Sequence, residues 1–421
     1  MSHFAVMVIS AERPTEVMLD RLLAPFHEFE CTGVDNEFVV NVDETEEALE
    51  EYAKATEAMI AAPDGVTFYG AYDDRFYRDP TPEEEAKWGP LSRGTGAGDG
   101  ISWTSKDWGD GRGYRTKVHE VPADHKEINV PTKDVQPIAQ WIEHYYGIKP
   151  VVVRNGAAGL IDREGSHKYG YALVDEAGNL IKLVDRTNPN KKWDWWQLGG
   201  RFTGMFKPHY DPDADPSNKE TCFLCNGTGK RADMDVKDGC NGCAGTGTRT
   251  KWPTQWKSIG DVAQVKDVPL EALRNIAESA ALTEYDKAVA IVAGRELPSW
   301  SALLARAEAK EISYDQTRDL LWKNPVILDL QSAGFDGLAW NVDAFLDGLR
   351  LSRPEHATRA RRRAVQTFAV LKDGKWFERG EMGWWGVVHN KKDGDQWDEE
   401  FASLLDGLPP ETWLAVVDCH I

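Results

Sequence analysis

The sequence predicts an α+β protein whose mostly antiparallel sheet carries packed helices and is interrupted by a small zinc knuckle and a helical insertion. Three observations predict it. Apolar runs of strand length open and close the chain, at residues 3–9 and 413–421. Two hairpin patterns lie far apart, YGYALVDEAGNLIKLVD at 169–185 and TFAVLKDGKWFER at 367–379, each with a polar turn between β-rich runs. Between 269 and 330, Leu270, Leu273, Ile276 and Ala277, then Leu303, Leu304 and Ala307, recur at helical spacing. With 421 residues the chain exceeds the usual ceiling for one core, so it holds two units or one core with insertions.

In order along the chain, the strand at 3–9 is followed by a helix at 16–26 that turns Val17, Leu19, Leu22 and Leu23 inward. A second helix starts at Asp43, an N-cap with Glu46 three residues on, and carries Leu49, Tyr52, Ala53 and Ile60 inward. Its face of Glu44, Glu47, Glu50 and Glu51 reads as solvated. Residues 63–134 are rich in Gly, Asp, Trp, Tyr and Pro without periodicity, and read as loops. The run GTGAGDG at 94–100 lacks the Lys-Ser/Thr of a phosphate-binding loop. A helix is expected at 136–146, then the first hairpin, turning at 176–179.

The second hairpin turns at Asp373-Gly374. Paired tryptophans follow both hairpins, Trp195-Trp196 and Trp384-Trp385, so they are either related halves of one sheet or two hairpins that end alike. A helix at 355–364 carries Arg359, Arg361, Arg362 and Arg363, which either meet an acidic or phosphate partner or balance nearby acids on a solvated face. The organisation expected is a core at 1–205 and 351–421, a knuckle at 206–255 and a helical insertion at 256–350.

Lys and Arg total 49 against 69 Asp and Glu, a net charge of −20 that repels nucleic acid over most of the surface. No stretch has the length of a membrane span, and the N-terminus lacks the basic segment of a signal peptide, which predicts a cytoplasmic protein. Cys31 and Cys419 read as buried core thiols.

The other four cysteines form two tandem copies of C-x-x-C-x-G-x-G, at Cys222, Cys225, Gly227, Gly229 and at Cys240, Cys243, Gly245, Gly247. Two such knuckles close the tetrahedral four-thiolate shell that zinc favours. With no position left for water or substrate, the spacing predicts one structural Zn2+ per chain. These residues resemble the cysteine-rich repeats of DnaJ-type chaperones, over about residues 221–248. Four repeats make two zinc sites in that family, so two imply one here. The J-domain His-Pro-Asp signature is absent, and chaperone activity is not implied.

Two further groups are candidates. His27, Glu28, Glu30 and Cys31 fall in APFHEFECTG, and Asp418, Cys419 and His420 end the chain. If the first and last strands pair, these clusters meet as a polar site or a second metal site, with His27, Glu28, Glu30 and His420 as acid–base groups. In WDWWQLGGRF, alternation puts Trp193 and Trp195 on one face, beside Trp196, Gly199-Gly200 and Arg201. That is either a platform for a base and a phosphate, with Trp193, Trp195, Trp196 and Arg201 as ligand contacts, or a tryptophan-rich core with a structural glycine turn.

Both ends of the chain, through MSHF, APFHEFECTG, VPTKDV, HYYGIKPV, RTNPNKKWDWWQLGGRF, GKWFERGEMGWWGVV and VVDCHI, resemble a family encoded by bacteriophages and prophages. The resemblance implies a phage-borne protein of the host cytoplasm, and no activity. The function expected is an accessory protein that binds a host factor or small ligand, with counter-defence as one such role; the rival is an enzyme acting on a nucleotide or nucleic acid, with Arg201 holding phosphate.

Overall fold

A computed structural model describes residues 2–79, 81–83, 101–104, 115–231, 239–335, 337–383, 387–392 and 394–421. The chain divides into two compact units, Met1–Thr32 with Asn188–Ile421, and Gly33–Thr187. The division differs from the one drawn on composition, because 33–187 closes a core of its own rather than continuing a first half of the main sheet.

The first unit is built on strands β1 (His3–Ser10), β2 (Trp195–Leu198), β3 (Val262–Gln264), β4 (Ala369–Lys372), β5 (Lys375–Glu378) and β6 (Trp413–His420), in the order β2-β6-β1-β4-β5, with β3 also on β6. The two ends of the chain pair without a break, from His3 opposite His420 to Ser10 opposite Trp413. Only β1 and β4 run parallel; the other pairs in this sheet are antiparallel. Both faces are covered, which is why β1 and β6 read as continuous apolar runs rather than alternating ones. Phe4, Val6, Val8, Ala415, Val417 and Cys419 pack with Leu19 and Leu23 of helix α1 (Glu16–Leu23). On the opposite face, Met7, Ile9, Leu414 and Val416 meet Leu273 of α2 (Leu270–Val292), Val365 beyond α3 (Arg353–Arg363), and Trp397, Phe401 and Leu405 of α4 (Gly394–Asp406).

Thr15 caps α1, accepting from the Met18 amide at 3.2 Å. Val17 is exposed rather than inward, since the buried stripe is Leu19 and Leu23, four apart, and Val17 sits two positions away from it. After α2, helices Trp300–Glu308, Tyr314–Trp322, Pro325–Ser332 and Val342–Arg350 close a second core around Ala288, Leu321, Ile327, Leu330 and Leu346. The arginines of α3 are each paired: Arg359 with Asp395, Arg361 with Glu271 and Glu278, Arg362 with Glu399, Arg363 with Asp398. Of the two readings of that helix, the balanced face is the one found.

The second unit has a five-stranded sheet, in the order Ala157–Ala158, Val151–Arg154, Gly170–Val174, Leu180–Thr187 and Val40–Asp43, packed around Ala48, Trp141, Ile142, Ala172 and Leu183. Its helix Thr45–Lys54 buries Ala48 and leaves Leu49 exposed. Asp43 is not its N-cap; it stands one residue before the N-cap Glu44, its carboxylate accepting from the amide and hydroxyl of Thr45, and Ile60 lies in the next strand, Thr56–Ala61. Residues 63–134 hold short strands at Phe68–Gly70, Tyr77–Arg78, Ile101–Thr104, Arg115–His119 and Lys126–Pro131, where loops were expected.

Both hairpins form, but in different units and different sheets, so they are not halves of one sheet. Asp373 and Gly374 have φ of +52° and +71°, the twist a two-residue hairpin needs. Trp384-Trp385 and the GTGAGDG run lie outside the described residues. Among those described, no helix is long and apolar enough to cross a membrane.

Candidate functional site

The strands Lys219–Thr221 and Thr248–Thr250 form a two-stranded ribbon that closes the cysteine knuckle. Within it the two repeats are related almost as mirror accounts of one structure. Cys222 N donates to Gly247 O at 2.9 Å and Cys240 N to Gly229 O at 2.7 Å. The Thr228 and Thr246 hydroxyls donate to Cys225 O and Cys243 O, both at 2.7 Å. Gly229 and Gly247, at φ of +72° and +79°, each pass so near the other repeat that a Cβ would stand 2.3 Å from a glycine carbonyl oxygen. These positions demand glycine twice over, by dihedral and by space.

The four thiols are buried and mutually within 4.8 Å, a cluster that could hold a metal ion. Cys222 Sγ lies 3.8 Å from Cys240 Sγ, and Cys225 Sγ 3.7 Å from Cys243 Sγ. Gly247 N donates to Cys243 Sγ at 3.2 Å, which stabilises a thiolate there. Burial opposes ionisation of Cys225, but the Gly229 amide and the other thiols donate to it and bring its pKa down to about 7.

The second candidate lies at one end of the central sheet. Pairing of β1 with β6 sets His3 beside His420, their rings 5.0 Å apart edge to face. Each ring is held by a carboxylate: His3 Nδ1 is 2.9 Å from Asp418 Oδ1, and His420 Nδ1 is 2.7 Å from Asp194 Oδ1. Trp195, opposite His420 in β2, stacks on it with centroids 5.6 Å apart. Asp418 is 1% exposed, and its Oδ2 accepts from the Arg201 amide at 2.9 Å. It also lies against Gly200, where a Cβ would meet it at 2.4 Å. Gly199 gives the same room to Asp261, which accepts from the Gly204 amide and the Thr203 hydroxyl. The close approach expected at Gly199-Gly200 is thus made by the chain's own buried carboxylates.

His27 and Glu28 come to this end from the other side of Asp194. The His27 ring lies 4.9 Å from that of Trp193, tilted by 57°, and its Nε2 is 3.0 Å from the Thr32 hydroxyl. Burial lowers its pKa against the pull of Asp194 and Glu30. Burial raises that of Glu28, whose amide donates to Trp193 O and whose carboxylate accepts from Cys31. Glu30 pairs with Lys191. Cys31 is exposed, not a core thiol, because the turn Phe29–Thr32 buries Phe29 instead. Partial loss of solvent around the thiol and the Glu28 charge still push its pKa up to about 11. Cys419 is buried, as expected.

Trp193 and Trp195 do not share a face. The chain bends at Asp194, so Trp193 joins Trp196 in the α1-side core, with its Nε1 donating to Leu23 O at 3.1 Å, while Trp195 goes to His420. Arg201 is exposed, with no ion pair among the described residues. The pairing of first and last strands brings His3 to His420, while a bridge from His27 to Trp193 sets His27 and Glu28 near the Asp194 that holds His420; among the described residues no second metal site results. Among the described residues only the four cysteines bring three or more ligating atoms close enough for an ion. His3 and Asp194 were missed as site residues; the signal for His3 was its place opposite His420 once the termini pair. No protein-family model, curated protein or solved structure matches this chain.

Proposed function

We propose that the chain is a phage-encoded accessory protein of the host cytoplasm, braced by one structural zinc ion, that binds a host factor or small ligand at the His3–His420 end of its central sheet. For the metal, the supporting observation is the sulfur spacing. Arms of about 2.3 Å in a tetrahedron set sulfurs about 3.8 Å apart, whereas a disulfide closes to about 2.05 Å. Separations of 3.7 and 3.8 Å fit the tetrahedron. All four positions are filled by protein, which leaves zinc a bracing role and puts the function elsewhere.

The observation that carries the binding reading is the ordered group of His3, Asp418, His420, Asp194 and Trp195, held at a sheet end where a purely structural need calls for apolar side chains. The phage assignment rests on the motifs at both ends of the chain. The test is capture from bacterial lysate by wild type and by a Trp195→Ala, His420→Gln variant, read by mass spectrometry of bound proteins and small molecules. A partner retained by wild type and lost by the variant supports the site; equal retention by a folded variant removes it.

A second reading, an enzyme acting on a nucleotide, is favoured by one feature: each histidine is oriented by its own carboxylate, as general acid–base groups are. Turnover of nucleotide phosphoesters by wild type, abolished in His3→Ala and His420→Ala, supports it. Absence of turnover across nucleotide mono-, di- and cyclic phosphates sinks it.

A further inference from the structure

Three cations meet at the same end of the central sheet, on the edge away from β2. Glu378, the last residue of β5, faces the α1 side, where it accepts from Trp376 Nε1 at 2.8 Å and Lys192 Nζ at 2.6 Å. Arg379 is one step further, its amide donating to Phe368 O at 2.9 Å, and its charge acts on Lys391 together with that of Arg363, whose partner Asp398 belongs to α4 on the other face. That is the face of His3, Asp418, His420 and Trp195. Phe368 N in turn donates to Ala5 O at 2.9 Å, and Ala5 lies opposite Asp418, so Arg379 stands in the row that crosses to the histidine cluster. Two strand spacings, about 10 Å, separate β1 from β5.

Arg379 Nε is buried with no hydrogen-bond partner among the described residues. Lys391 lies alongside, since Lys392 N donates to Arg379 O at 2.9 Å. Loss of solvent and the two guanidiniums of Arg379 and Arg363 lower the Lys391 pKa. Among the described residues, Arg363 alone of the three cations has a carboxylate partner, Asp398, which also accepts from Gln366 Nε2 at 2.6 Å. Asp398 answers one of these charges, and the two that are left, in a chain of net charge −20, are costly to hold together unless a further anion sits among them. A guanidinium with an unmatched Nε beside an ammonium suits a phosphoryl group.

We propose that Arg379 and Lys391, backed by Arg363, bind the phosphoryl group of a phosphate monoester whose remainder reaches the His3, His420 and Trp195 cluster. The anion site stands on its own observations; its link to that cluster rests on the ligand-binding reading above. The experiment is calorimetric titration with inorganic phosphate and with adenosine monophosphate, on wild type, on Arg379→Met with Lys391→Met, and on Trp195→Ala. Wild type binds both, and the double variant, its melting temperature unchanged, weakens both by about tenfold or more. Trp195→Ala weakens the nucleotide and leaves phosphate alone. Phosphate binding that is absent from wild type, or equal in the folded double variant, overturns the anion site. Phosphate binding with no added affinity for the nucleotide overturns the link to the histidine cluster and leaves the anion site standing.

Discussion

The cysteine knuckle and the His3–His420 end of the sheet are both polar clusters inside one unit, but they are closed in opposite ways. In the knuckle each thiol faces three others, and backbone amides of the two repeats answer one another across a local pseudo-symmetry. At the sheet end, ring and carboxylate pairs come from chain positions up to 415 residues apart, and Glu28 Oε2 is buried without a hydrogen-bond partner among the described residues. The difference separates bracing from use. A site whose thiols are all turned on one another has nothing left on them for a ligand, while one with unmatched buried polar atoms beside its ring and carboxylate pairs holds interactions in reserve.

The largest test of that contrast removes the metal. A Cys222→Ser, Cys240→Ser protein should lose its zinc from one per chain to none. Metal binding of this type is worth on the order of 10 kcal/mol to the fold it closes, and the ribbon outside it has only three residue pairs. Loss of order should therefore be confined to the knuckle: rapid proteolysis within 219–250, with the thermal transition of the central sheet retained. Collapse of the whole unit would show that the knuckle braces more than itself.

Next in size are the paired glycines. Gly229→Ala and Gly247→Ala each combine a positive φ with a Cβ 2.3 Å from a carbonyl oxygen, and should cost about 4 kcal/mol of local stability and weaken metal retention against a chelator. Gly178→Ala, at φ +87° in open space, should cost about 1 kcal/mol. At the sheet end, Asp418→Ala strips a partner from His3 and from the Arg201 amide, and should lower stability by about 2 kcal/mol in urea unfolding. If Asp418→Ala proves neutral, that end is looser than the hydrogen bonds imply.

How far the sequence exposes these features follows from how local they are. The knuckle is legible because all four ligands fall within two short repeats, and the spacing itself carries the geometry. Strands β1 and β6 are legible as apolar runs, but their register is not, so His420 stood as a candidate while His3 did not. The unit at 33–187 was hidden because strands such as Phe68–Gly70 and Tyr77–Arg78 are too short to show a period. Val17 and Leu49 misled because apolar residues flank the buried stripe without belonging to it. One bend at Asp194 was enough to send Trp193 and Trp195 to opposite faces, and no propensity marks it.

The smallest effect expected is in the dependence of stability on pH, and it probes the unmatched side of the comparison. Burial holds the His27 imidazole below its ordinary value near 6.5, so between the folded and ordinary values the unfolded chain binds more protons than the folded one. Stability is then fully present above that range and falls as pH drops through it. His356, lowered by burial and further by Arg359 and Arg363, has the same sign in the helical segment. Glu28 acts in the opposite direction: its raised pKa makes the folded state the better proton binder, so its contribution declines as pH climbs from the ordinary carboxyl value to the raised one. Urea midpoints taken from pH 7.5 to 5.5 should therefore fall for wild type and fall less for His27→Gln. They should flatten further when His356→Gln is added, and an unchanged slope in His27→Gln would mean that the imidazole is hydrated as freely folded as unfolded.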